Sequence, residues 1–189
     1  MSQRNSSYAR KERDLYESPE WVTAALIPHI PARVREIWEP ACGSGRMVRE
    51  LQRCMPAVSV CGCDIEPGDE YICADFLGDT PRVSVDDIDA IITNPPFELA
   101  TEFIERALRW MERTGGFAAM LLRTDFDHAK GRAHLFRDCP AFSKKLVLMK
   151  RIVWFVEADG KPKASPSYNH AWFIWNWQHE GPATLVYAE

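Results

Sequence analysis

Short apolar runs alternate along this chain with polar segments of helical periodicity. Val34–Trp38, Val58–Cys63, Ile88–Thr93 and Phe117–Leu122 read as buried strands, because each is apolar and bounded by turn residues. Glu70–Cys73 adds a short strand. Arg46–Met55 and Glu98–Arg113 read as helices, the second with Phe103, Ala107 and Trp110 along one apolar stripe. Ser18-Pro19-Glu20 is a helix start: Ser18 as N-cap, proline in the first helical position, an acid in the first turn. That helix runs through Leu26 and stops before Pro31, and His128–Asp138 is expected to be helical too. Lys145–Val156 and His170–Trp177 are strand-like runs joined by a polar loop that contains Gly160, Pro162, Pro166 and Ser167.

Strands alternating with helices and ending in a hairpin predict an α/β, Rossmann-like architecture. The expectation is a mostly parallel seven-stranded sheet with an antiparallel C-terminal hairpin strand and helices on both faces. Residues 1–15 are polar with few apolar anchors and are expected to form a flexible arm ahead of one domain, residues 16–189.

Composition narrows the class. The chain is 46% hydrophobic and 26% charged, with no apolar run near the roughly 20 residues of a membrane span and no signal-peptide core at its start. Its six cysteines include no CxxC pair, and Cys61 and Cys63 fall on an expected buried strand. Reduced core thiols are therefore expected rather than zinc ligands or disulfides, with a cytoplasmic location. The net charge of −4 is unevenly spread: residues 1–122 hold 13 Lys/Arg against 20 Asp/Glu, whereas 123–163 hold 10 against 5. Such a basic segment reads either as a phosphate-facing surface or as solvated faces.

The chemistry concentrates after the fourth strand. Asn94-Pro95-Pro96-Phe97 stands where open α/β sheets place ligands, at a strand's carboxyl end. Two successive prolines fix their own φ angles and remove two backbone donors. What remains is a rigid, acceptor-rich turn: the Asn94 side-chain oxygen, the Pro95 carbonyl and the face of Phe97. Such a turn suits an amino group with two N–H bonds on a flat ring. This tetrapeptide resembles the Asn-Pro-Pro-aromatic signature of the S-adenosylmethionine (SAM)-dependent amino-methyltransferases, especially the γ-class DNA N6-adenine enzymes.

Four further segments match that family in its γ order. Tyr16-Glu17-Ser18-Pro19 resembles the motif before the first strand, which helps bind the methionine end of SAM. Glu39-Pro40-Ala41-Cys42-Gly43-Ser44-Gly45 resembles the first SAM motif; its glycines permit a tight turn at a helix N-terminus, and Glu39 favours a cationic ligand. In Gly62-Cys63-Asp64-Ile65-Glu66 the motif match assigns Asp64 to the ribose hydroxyls, with Glu66 as competitor. Ala74-Asp75-Phe76-Leu77 resembles the third motif, in which the Asp carboxylate accepts from the adenine amino group and the aromatic flanks the ring.

The resemblance implies SAM as cofactor and methyl transfer to an adenine N6 amine of nucleic acid, DNA before RNA. Asn94, Pro95, Pro96 and Phe97 would form the catalytic turn, with Phe97 stacking on a flipped or unpaired base. A second aromatic wall is expected from Trp154, Phe155, Tyr168 or Trp172. No segment is long enough for the family's target-recognition domain, so sequence readout would come from short loops, the arm or a partner subunit. An RNA adenine or guanine amino-methyltransferase, a protein glutamine methyltransferase and a non-catalytic SAM-fold scaffold are the alternatives. Lys130, Arg132, Lys144, Lys145, Lys161 and Lys163, with Arg10, Lys11 and Arg13 of the arm, form the expected phosphate surface.

Overall fold

The computed structural model describes residues 16–78, 83–154 and 168–188; the expected arm, residues 1–15, lies outside them. The described elements are α1 (Glu20–Leu26), β1 (Glu36–Glu39), α2 (Arg46–Cys54), β2 (Ser59–Asp64), β3 (Ile72–Cys73), β4 (Ala90–Thr93), α3 (Ala100–Thr114), β5 (Phe117–Arg123), β6 (Phe142–Val147), β7 (His170–Asn176) and β8 (Thr184–Tyr187). The strands make one eight-stranded sheet in the order β3-β2-β1-β4-β5-β7-β6-β8. β7 runs antiparallel to both neighbours, pairing Leu121 with Trp172 on one side and Leu146 with Trp172 on the other. The remaining pairs are parallel.

The order places β2 on one side of β1 and β4 on the other, so the winding direction reverses between β1 and β4. That reversal opens a crevice beyond the carboxyl ends of those two strands. The eighth strand exceeds the expected seven: Thr184–Tyr187 pairs with β6, as in Leu146↔Val186. It is a mostly exposed edge strand of four residues.

β5 shows why helices cover both faces. Ala118, Met120 and Leu122 pack under α3 with Phe103, Ile104, Ala107 and Met111. Phe117, Ala119 and Leu121 pack on the opposite side with Val22 and Leu26 of α1 and Met47 and Leu51 of α2. Two core indoles are satisfied from opposite layers: Trp172 Nε1 donates to the Val22 carbonyl at 2.8 Å and Trp175 Nε1 to the Leu135 carbonyl at 2.6 Å. All six cysteines are thiols, and burial pushes Cys61 and Cys63 up to about 11. Among the described residues no helix is long and apolar enough to cross a membrane.

Several local expectations give way to tertiary contacts. Pro19, not Ser18, is the N-cap of α1, and Ser18 is buried with no partner for its hydroxyl among the described residues. The expected helix at His128–Asp138 is a pair of 3-10 turns, Phe126–His128 and Lys130–Leu135. There Phe136 must reach Phe142, Phe173 and Trp175, a set of contacts that a straight helix would not present. β6 starts at Phe142 and ends at Val147 instead of spanning Lys145–Val156. Beyond it the chain leaves the sheet, and Trp154 packs against Tyr16, Phe97 and His170.

Candidate functional site

A cleft of about 330 Å³ occupies the crevice and is lined by residues from every loop at the carboxyl edge of β1, β2, β3 and β4. Tyr16, Ser18, Glu39, Pro40, Ala41, Gly43, Asp64, Ile65, Asp75, Phe76, Asn94 and Pro96 all line it. Tyr16 and Asn94, 78 positions apart, thus meet at one site. Pro19, Gly45, Pro95 and Phe97 are not among the lining residues. Glu17, Cys42, Arg46, Met47, Glu66, Leu77, Leu99 and Phe103 line the cleft without having been singled out as site residues, except Glu66 as a competitor for ribose. Leu99 and Phe103 read from sequence as one face of a helix, and nothing local distinguishes a cleft wall from a core contact.

Glu39 ends β1 and is 1% exposed. Its Oε1 accepts from the Thr93 hydroxyl and, at 3.2 Å, from the Ala41 N–H, while Oε2 has no partner among the described residues. Burial pushes its pKa up to about 8; the nearby Asp64 carboxylate adds to the rise, and the two hydrogen bonds oppose it. Burial therefore favours the neutral, protonated acid at pH 7, and a cation beside it would favour the carboxylate.

Asp64 ends β2 and organises the facing loop. Its Oδ2 accepts the Gly43 N–H at 2.9 Å and its Oδ1 the Glu66 N–H at 3.0 Å. Each carboxylate oxygen keeps a further lone pair, so these bonds preset the carboxylate without exhausting it. Asp75 is exposed, with Oδ1 accepting from the Leu77 N–H at 2.8 Å. Phe76 is 2% exposed and packs against Trp38, Phe103 and Trp110, so its ring belongs to the core while its residue walls the cleft.

The two glycines of the first loop have separate roles. Gly43 lines the cleft. Gly45 has φ +82, and a Cβ there would lie 2.0 Å from the Tyr71 ring. That position must therefore be glycine to leave room for the Tyr71 ring, independently of any ligand.

At the opposite end of the cleft, Asn94 Nδ2 donates to the Tyr16 carbonyl at 2.7 Å. That bond fixes the amide orientation and leaves Oδ1 buried and without a partner among the described residues. Around it stands a cluster of rings. Phe97 lies 5.5 Å from Tyr16, 6.3 Å from Trp154 and 6.1 Å from His170, and Trp154 lies 5.6 Å from Tyr16 and 5.2 Å from His170. Of the expected second aromatics, Trp154 is the one in contact with Phe97 among the described residues. Trp172 is buried in the core, Tyr168 packs under the Arg123 guanidinium at 4.0 Å, and Phe155 lies outside the described residues. His170 was missed because a lone histidine opening a strand carries no motif.

The expected phosphate surface is partly dismantled. Lys145 is paired with Asp127 at 2.8 Å and bonds the Thr124 carbonyl, Lys144 bonds His29 Nδ1 at 3.1 Å, and Arg132 covers the Phe126 ring at 3.8 Å. Lys130 is exposed. Arg10, Lys11, Arg13, Lys161 and Lys163 lie outside the described residues.

The architecture, with its crevice at the β1/β4 reversal, is that of a Rossmann-like methyltransferase fold. The chain is similar to the solved plantazolicin methyltransferase BpumL in complex with a triazolic desmethylPZN analog and SAH, at 14% identity, 83% of this chain, 82% of that chain and a TM-score of 0.50. It also superposes on TnmH at 10% identity, covering 84% of this chain and 55% of that one, with a TM-score of 0.49. No protein-family model and no curated protein sequence matches the chain.

Proposed function

We propose that this protein is a SAM-dependent amino-methyltransferase whose acceptor is the N6 amine of adenine in nucleic acid, DNA before RNA. The observation that carries the reading is the state of Asn94: its amide nitrogen is tied to the Tyr16 carbonyl, and its oxygen is buried without a partner among the described residues. Three buried atoms without partners among the described residues, Ser18 Oγ, Glu39 Oε2 and Asn94 Oδ1, belong to residues of the one cleft. Leaving such atoms unpaired costs about 1–3 kcal/mol each, a cost that a bound ligand removes. The donor set fits SAM: Glu39 and Ser18 suit the positively charged methionine end, Asp64 or Glu66 the ribose hydroxyls, and Asp75, Ile65 and Leu77 the adenine end.

When bound, SAM supplies a methyl group made electrophilic by its sulfonium. The chain's own part is to prepare the acceptor. An exocyclic amine on a flat base delocalises its lone pair into the ring. If Asn94 Oδ1 and the Pro95 carbonyl each accept one N–H, the nitrogen moves toward tetrahedral geometry and its lone pair localises. The positive charge that develops there meets two acceptor dipoles already in position. Pro95 and Pro96 hold the turn stiff, Phe97 supplies a stacking face, and Trp154 closes the pocket at its edge. Alignment of amine and methyl donor then accounts for the remaining rate.

The test is a labelled-methyl assay with duplex DNA, single-stranded DNA and RNA as acceptors, paired with calorimetry for SAM. Methylated adenine in one arm supports the reading. Well-folded protein without measurable SAM affinity would sink it, and SAM binding with methyl transfer to none of the three would move the acceptor outside nucleic acid.

A further inference from the structure

His170 opens β7 at the crevice side of the sheet and is 2% exposed. Among the described residues it is the one titratable ring in contact with Phe97 apart from the Tyr16 phenol. Its plane lies within 29° of Phe97, and Trp154 stands at 86° to it, so His170 and Trp154 meet Phe97 on adjoining sides. Its Nδ1 is buried and has no partner among the described residues. Burial pushes the imidazole down to about 4; Arg123 lowers it further, while Asp125 and a hydrogen bond to the Tyr168 backbone pull the other way. The ring is therefore uncharged at neutral pH. The hydrogen bond to the Tyr168 backbone accounts for one polar contact of the ring, but packing gives no reason for the second nitrogen, the unpartnered Nδ1.

We propose that His170 is a positioning residue of the acceptor pocket: its ring holds Phe97 and Trp154 in place, and its Nδ1 gains a hydrogen-bond partner only when an acceptor occupies the pocket. This rests on the amino-acceptor reading of Asn94. It assigns the residue to the acceptor half of the site, because its ring contacts are to Phe97 and Trp154 and it lines no part of the cofactor cleft.

The experiment uses the full chain saturated with S-adenosylhomocysteine, labelled with ¹⁵N at histidine and titrated with a short single-stranded oligodeoxyadenylate. Binding should shift the His170 Nδ1 resonance while the free-protein spectrum shows a neutral imidazole at pH 7. The His170→Phe variant should melt at or above the wild-type temperature and keep its S-adenosylhomocysteine affinity. Its KM for the oligonucleotide should rise about tenfold, the size of one ordinary hydrogen bond. His170→Asn, which returns a polar atom near the Nδ1 position, should recover part of that loss. A phenylalanine variant with wild-type KM and kcat, or a silent Nδ1 upon binding, overturns the assignment; the resonance decides it even if a variant misfolds. If the oligonucleotide does not bind wild-type protein at all, the nucleic-acid reading itself falls and takes this one with it. Binding with a silent Nδ1 removes this one alone.

Discussion

Replacing Glu39 by glutamine tests the most unusual charge in the molecule. In the folded chain the carboxyl is pushed from 4.5 to about 8, chiefly by burial. The folded state therefore holds a proton on Glu39 that the unfolded state gives up. The resulting stability is fully present below about pH 4.5 and is lost progressively as pH rises to about 8. At 1.36 kcal/mol per pH unit the loss approaches about 5 kcal/mol, taken as an upper figure because the site can relax. Glu39→Gln keeps an oxygen for the Thr93 hydroxyl and the Ala41 N–H but has nothing to titrate. Urea unfolding of ligand-free protein from pH 5 to 8 should show wild type weakening relative to the glutamine variant by several kcal/mol. If SAM is the ligand, its positive charge supplies the missing partner, so wild-type affinity should strengthen with pH up to about 8 and the variant's should not. Parallel stability curves for the two proteins, separated by the same amount at every pH, would refute the argument that Glu39 is a buried acid awaiting a cation.

Asn94→Ala should leave SAM affinity within a few-fold and reduce methyl transfer by about 10²–10³, since it removes one preorganised acceptor; a variant above a tenth of the wild-type rate contradicts the role. Gly45→Ala should cost about 1–3 kcal/mol in chemical denaturation, from its left-handed φ and the clash with Tyr71, and Tyr71→Ala in the same chain should restore only the clash share. Nucleic-acid affinity should fall steeply with salt and vary little with sequence; charge reversal at Lys161 and Lys163 should weaken it without changing SAM affinity, and an unaltered methylation rate at subsaturating substrate excludes that loop.

Periodicity along the chain is enough to settle the sheet class. β4 and β5 are apolar on both sides because helices cover both faces, and that burial writes itself into sequence as unbroken runs such as Ala90–Thr93 and Phe117–Leu122. The loops after β1, β2, β3 and β4 were equally legible, since glycine, proline and acidic residues at strand ends have few other reasons to cluster. Short-range signals failed where distant partners decide the outcome. Ser18 has the chemistry of a cap, yet the fold buries its hydroxyl, and the residue lines the cleft instead. Gly45 reads from sequence as a turn glycine, and only the fold shows that Tyr71, 26 positions away, also requires it. Lys144 and Lys145 read as free charge, but the sheet sets them against His29 and Asp127. The pairing of Asn94 with the Tyr16 carbonyl and of Phe97 with His170 spans most of the chain. No local pattern encodes such contacts, because they arise only when the β1/β4 reversal and the antiparallel β7 bring those strand ends to one rim.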